Sequence, residues 1–182
     1  MRRLIVATLA ASLMLVGVAP AMAAGHSNRA PAPGPDSIAA IAIDAGFTEL
    51  VGALVYVDEE LDTNLVELFS TPSGQYTVFA PTNEAFEDLY DFLGITEISD
   101  LPPELVLDVL LYHVTEGRRA ANSVVPPRMD RTITTLLGAT FSVDRTGTIT
   151  DLFGQEAAIV APNISASNGI IHVVDTVLLP LG

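Results

Sequence analysis

The sequence is 182 residues long, with a formal net charge of −14, 49 % hydrophobic residues and no cysteine. It is long enough to bury a sizeable core as one domain, and the missing thiols exclude disulfides, cysteine nucleophiles, thiolate metal sites and a cysteine-linked lipid anchor. Its eight basic residues, all arginine, face twenty-two acidic ones, too small a basic footprint for a nucleic-acid partner.

In chain order, residues 1–23 predict a secretory signal peptide. Arg2 and Arg3 form the charged start, Leu4 to Val18 the apolar stretch, and Ala21-Met22-Ala23 the small-residue cleavage site. The apolar run falls short of the roughly 20 residues that a bilayer-spanning helix needs. Cleavage after Ala23 is therefore expected, leaving no transmembrane segment and a product that is secreted, extracellular or periplasmic. Residues 24–36, small and proline-rich, read as a linker or disordered arm, and residues 37–182 as one domain.

That domain begins with helical signals. Asp36-Ser37 caps a helix that ends at Gly46, Thr48 opens a second, and Leu65 to Phe69 marks a third, with a polar stretch from Asp58 to Asn64 between them. Tyr76 to Pro81 has the composition of a strand, and Pro81 bars its continuation as a central strand. Thr82 then caps a helix whose Phe86, Leu89, Tyr90 and Leu93 recur at helical spacing before Gly94 stops it. Pro102-Pro103 opens another, with Val106, Val109, Leu110 and His113 on one face. Beyond Gly117 the chain turns to short β-rich runs: 132–137, 140–143, 148–152, 157–161 and 170–179. Helices followed by strands, rather than alternating with them, predict an α+β fold.

Candidate chemistry is sparse. The histidines beyond the signal are His26, His113 and His172, without the close pair that a zinc site needs. The acidic string from Asp58 to Asn64 lacks the glycine and closing glutamate of an EF-hand, which leaves weak surface calcium binding open. His172 and Asp175 stand together in NGIIHVVDTVLLP, yet strand alternation points them to opposite faces, and no G-x-S-x-G elbow supplies a serine. Both therefore read as structural fasteners that find hydrogen-bond partners elsewhere in the fold. His113 reads as a satisfied histidine at a helix end.

Charge is unevenly placed. Between Pro31 and Gly117 there are seventeen acidic residues and no basic one, while five arginines lie between Arg118 and Arg145. Solubility explains much of that asymmetry. If a ligand patch exists, the loop bearing Arg118, Arg119, Arg128 and Arg131 is its expected place, because guanidinium groups match sulfate, carboxylate and phosphate.

Three stretches, in order, resemble the fasciclin domain family. Tyr76 to Phe86 (YTVFAPTNEAF, including Thr82 and Asn83) is similar to its first signature, Leu110 to Val114 (LLYHV) to its central Tyr-His motif, and Asn168 to Pro180 to its closing signature. The resemblance runs from about Ser37 to the end. It implies a wedge or sandwich of short strands flanked by helices, with no cofactor, and a non-enzymatic role in cell-surface adhesion or extracellular matrix or polysaccharide binding. In animal members the Tyr-His motif is associated with integrin-dependent adhesion. For Tyr112 and His113 a scaffolding role carries more weight, as the signal peptide is bacterial in style. The partner implied is an extracellular or surface protein or an anionic polysaccharide, met by a monomer or weak oligomer. The alternatives are a cell-wall hydrolase using His172 or paired carboxylates, and a self-associating structural surface protein.

Overall fold

The computed structural model describes residues 31–181, so the signal peptide, its cleavage site and His26 lie outside the described residues. Six helices and seven strands follow one another as α1 (Ile38–Asp44), α2 (Thr48–Leu61), α3 (Leu65–Ser70), β1 (Tyr76–Pro81), α4 (Asn83–Leu93), α5 (Pro103–Tyr112), β2 (Val114–Glu116), α6 (Ala121–Val124), β3 (Arg131–Thr134), β4 (Thr140–Val143), β5 (Thr148–Thr150), β6 (Glu156–Ala166) and β7 (Gly169–Val174), with a 3-10 turn at Ile98–Asp100. The fold is α+β, with the larger helices ahead of most of the strands.

Local rules account for most boundaries. Ser37 Oγ accepts from Ala40 N at 3.2 Å and Thr82 Oγ1 accepts from Ala85 N at 3.2 Å, each occupying an N–H that the first helical turn cannot pair. Gly94 closes α4 with φ 69°, a left-handed conformation that favours glycine. The expected polar stretch after α2 is shorter than its composition suggests, because Asp58 to Leu61 remain helical. Asp58 then reaches forward, its carboxylate accepting from Leu65 N at 2.7 Å and Val66 N at 2.9 Å, and so caps α3. Burial works to raise the Asp58 pKa, but bonds from Thr63, Val66 and Leu65 outweigh it and hold the carboxyl below its ordinary value.

The strands form one seven-stranded sheet in the order β2-β1-β7-β6-β5-β4-β3. β1 lies between β2 and β7, pairing parallel with β7 so that Phe79 stands opposite His172. It is thus interior, and Pro81 is tolerated because it is the last paired residue. The sheet curls until its ends meet: Leu136 N donates to Val114 O at 2.7 Å, and Thr115 Oγ1 donates to Thr134 O at 2.8 Å. Two longer strands depart from expectation. β6 continues past Pro162 to Ala166, because register shifts between Ile159 and Ile164 absorb the proline and Asn163, whose φ is 66°. β7 stops at Val174 rather than running to Leu179. The backbone of Leu178 and Leu179 bonds instead to the side chains of His113 and Asp151.

Alternation along β1 and β7 divides the interior in two. Val78, Ala80 and Ile171 face a core built with the helices, among them Leu50, Leu54, Phe86 and Leu110. Phe79 and Val174 face a second core inside the curled sheet, with Tyr112, Ile133, Phe141 and Ile149. All six residues of β7 are buried, as a strand covered on both faces requires.

Asn168 anchors the start of that strand. Fully buried, it accepts from Ile38 N at 2.8 Å through Oδ1 and donates through Nδ2 to the carbonyls of Phe69 at 2.9 Å and Thr71 at 3.1 Å. One side chain thereby joins α1, the end of α3 and β7. Asn168→Ala is expected to lower the unfolding free energy by about 2–4 kcal/mol in urea denaturation, because it orphans buried backbone groups as well as removing bonds. A loss under half a kcal/mol would show that water or backbone movement replaces the amide.

Candidate functional site

The Thr82-Asn83 pair joins two helices. While Thr82 caps α4, Asn83 Oδ1 accepts from Glu49 N at 3.3 Å and its Nδ2 donates to Gly46 O at 2.9 Å. The first signature motif therefore ties α4 to the turn between α1 and α2.

Tyr112 and His113, at the end of α5, point inward. The Tyr112 hydroxyl donates to Thr140 O at 2.9 Å and accepts from Leu152 N at 3.2 Å, and its ring meets Phe141 edge-on at 5.8 Å. Burial, with the Asp151 charge, pushes its pKa up to about 12 against the lowering effect of the Leu152 bond. His113 donates through Nδ1 to Val109 O at 2.7 Å and accepts at Nε2 from Leu178 N at 2.9 Å. Desolvation lowers its pKa to about 4, outweighing the Val109 bond and the Asp151 charge, so the ring is neutral. With both side chains buried, neither offers a contact surface in this conformation.

His172 and Asp175 do not meet. His172 is fully buried and stacks on Phe79 with centroids 5.5 Å apart. Its Nε2 donates to Arg119 O at 2.9 Å and its Nδ1 accepts from Asn163 N at 3.3 Å. Burial lowers its pKa as well, opposed by the Arg119 bond. Asp175 lies just past β7 and is exposed rather than in the core, with Oδ1 accepting from Ala158 N at 2.7 Å. It fastens the rim of the sheet, not its interior.

The four arginines are in four different situations. Arg118 donates to the carbonyls of Ala166 at 2.8 Å and Pro31 at 3.2 Å, and also to Gly169 O and Ser165 Oγ. It clamps residues 31–36, within the expected arm, against the β6–β7 turn. Gly34 N donates to Ala166 O at 3.3 Å in the same contact, so Arg118 is an internal fastener rather than a free cation. Arg119 donates through Nε to Glu116 O at 3.2 Å and Arg131 donates to Ser123 O, each with part of the side chain accessible. Arg128 is exposed beside Met129, at 81 % exposure, on an open depression formed with Pro126, Pro127 and Asp130. Arg131 lines the same depression as Arg128, whereas Arg118 and Arg119 do not.

Sequence reasoning missed several buried polar residues, of which Asp151 and Asn168 join distant segments. Asp151 accepts from Gln155 N at 2.8 Å and Leu179 N at 2.8 Å, and Asn168 is described above. Both sit beside turns, where an Asn or Asp is ordinary, so composition alone offers no signal for them. Among the described residues, no three His, Asp or Glu side chains are grouped closely enough to hold a metal ion.

These features agree with what the chain is similar to. The family profile described as Fasciclin domain matches residues 45–180. The chain belongs to that family. It is 37 % identical over 121 residues to the cell surface glycolipoprotein MPB83 of Mycobacterium bovis, covering 65 % of this chain and 49 % of that one. It is 37 % identical over 119 residues to the immunogenic protein MPT70 of Mycobacterium tuberculosis, covering 64 % and 55 %. An uncharacterised protein of Synechocystis is 33 % identical over 137 residues, covering 75 % of this chain and 91 % of its own. The chain thus spans about half the length of the mycobacterial relatives. A solved FAS1 domain pair from the insect cell adhesion molecule Fasciclin I aligns with a TM-score of 0.47 at 18 % identity, over 70 % of this chain and 45 % of that one.

The two buried histidines make stability depend on pH. Each has its folded pKa below the ordinary 6.5. The unfolded chain therefore takes up protons before the folded one, and stability present above pH 6.5 is lost as pH falls through the gap. For His113 the gap reaches down to about 4, on the order of 3 kcal/mol. Chemical denaturation should show the unfolding free energy falling between pH 6.5 and 4.5, above the window where depressed carboxylates act. Nitrogen NMR of the imidazoles should find His113 neutral at pH 5.5 and protonated on Nδ1, and His172 titrating below 6.5 with its neutral ring protonated on Nε2. A ring that titrates near 6.5 in the folded protein would contradict its burial.

Proposed function

We propose that the protein is a secreted, non-enzymatic binding module that attaches to a cell surface or matrix component, as an adhesion protein does. The observation that carries this reading is membership in the Fasciclin family together with a relative named as a cell surface glycolipoprotein. The histidines agree with it. Each uses both ring nitrogens on backbone groups, which counts against the cell-wall hydrolase that sequence reasoning kept as an alternative, since a general base needs a free lone pair near substrate.

The ligand patch for an anionic polysaccharide is narrower than the four arginines first considered. With Arg118 bonded to four protein groups, the contact falls to the depression holding Arg128 and Arg131, with Arg119 a separate, partly exposed cation. Prolines 126 and 127 stiffen this loop, so little ordering entropy opposes binding there.

Two measurements test the reading. N-terminal sequencing of the exported product should begin at Ala24; a retained leader would remove secretion by this route. Binding to immobilised alginate or heparin should weaken about tenfold when Arg119 and Arg128 are both replaced by Ser, the loss of about one charge-assisted contact. Unchanged binding would take the loop out of consideration. Arg118→Ser is a structural control: it should destabilise the fold and expose residues 31–36 to protease without acting through the ligand.

A further inference from the structure

A different face of the molecule carries features that neither the family motifs nor the arginine loop use. On α4, the residues at helical spacing that meet the core are Phe86, Leu89 and Tyr90. Phe92 falls off that stripe and is 64 % exposed. It is not alone. Phe153, in the turn between β5 and β6 and 48 % exposed, meets it edge to face with centroids 6.2 Å apart. Leu93 and Leu152, their sequence neighbours, are also exposed, Leu93 contrary to the expectation that it lies on the buried stripe. Phe92 and Phe153, from two distant segments, thus present one aromatic platform to solvent, and aromatic side chains are enriched at contact surfaces.

The platform borders a crevice between α4 and the segment after β7, whose lining mixes carboxylates with apolar side chains. Asp88, Asp175, Gln155 and Thr176 line it together with Phe92. Asp175 uses Oδ1 on the backbone of Ala158 and the hydroxyl of Thr176. The rest of α4's outer surface adds exposed Glu84, Glu87 and Asp91, and no basic residue occurs between Pro31 and Gly117 to neutralise them. Carboxylates in the first turn are partly balanced by the helix N-terminus, but Asp88 and Asp91 lie beyond its reach. The face is therefore aromatic at its centre and negative at its edge.

We propose that this face docks a basic, partly apolar segment of another protein, one presenting arginine or lysine beside an aliphatic side chain. Charge complementarity selects that occupant: an acidic glycan or nucleic acid would be repelled, and a purely aliphatic surface would desolvate the carboxylates without pairing them. A guanidinium over the Phe92 or Phe153 ring gains from the ring's negative face while its outer nitrogens reach Asp88 and Asp175. The aliphatic neighbour covers Leu152, next in sequence to Phe153. This surface stands independently of the arginine loop and takes a partner of opposite charge.

The test titrates the exported protein, by fluorescence anisotropy at low salt, into labelled synthetic peptides of alternating Arg and Leu, alternating Arg and Ser, and alternating Glu and Leu. The Arg-Leu peptide should bind, Arg-Ser about tenfold more weakly and Glu-Leu not at all, because aromatic contacts supply most of the affinity at such centres. F92S/F153S should weaken Arg-Leu binding at least about tenfold. D88N/D175N, which keeps an acceptor for Ala158 N, should weaken it by roughly three- to tenfold and flatten its salt dependence. The phenylalanines are largely exposed and touch mainly each other, so melting temperatures should fall by no more than a few degrees. R119S/R128S should bind Arg-Leu as the parent does, which separates this surface from the polysaccharide loop. Equal affinity for Arg-Leu and Arg-Ser, or a phenylalanine variant that binds normally, would reduce the effect to general attraction by an acidic chain and overturn the proposal. Sedimentation of the protein alone that shows a dimer lost in F92S/F153S would assign the face to a second copy and overturn it equally.

Discussion

The parallel pairing of β1 with β7 is the constraint on which the rest of the structure depends. A parallel pair cannot be closed by a tight turn, so the first strand and the last must be brought together after the intervening chain has been placed. Both faces of β7 are then covered, one by helices and the other by the curled sheet. A strand in that position has no solvent on which to rest a polar group. Every polar side chain along it must be met from another segment or left at a penalty of about 1–3 kcal/mol.

That requirement explains the polar residues inside the closing motif. Asn168 at the entrance gathers α1, α3 and β7; His172 in the middle ties the backbone just before α6 to β6; Asp175 at the exit takes a backbone N–H of β6. The Tyr-His pair repeats the pattern from α5, linking the helical layer to Thr140, Leu152 and Leu178. Holding neutral imidazoles in these positions costs stability at acid pH and in return ties distant segments together. Groups that look like catalytic parts when read in sequence are joints between segments. The exterior carries Arg128 and Met129 on one loop and Phe92 with Phe153 on another face.

Much of this was legible without coordinates. Capping residues and helical spacing located α1, α4 and α5 closely, because helix ends are decided by neighbours in sequence. Alternation separated His172 from Asp175 for a reason equally local. What escaped depended on partners far along the chain. β2 and α6 are too short to show a period. The extension of β6 past Pro162 rests on a bulge that only its pairing with β7 stabilises. The four arginines near the Tyr-His motif share composition and position, yet one became a clamp because the arm from Pro31 and the β6–β7 turn place carbonyls around it.

The sequence by itself determined the α+β class, the bounds of α1, α4 and α5, the excess of acidic residues and the family, all of which follow from residue type and short spacing. The tertiary structure alone decided which polar side chains are buried, which arginine is free and which phenylalanines remain in water. Burial and hydrogen-bond satisfaction are properties of segments brought together from opposite ends of the chain, and no local pattern records who the neighbour will be.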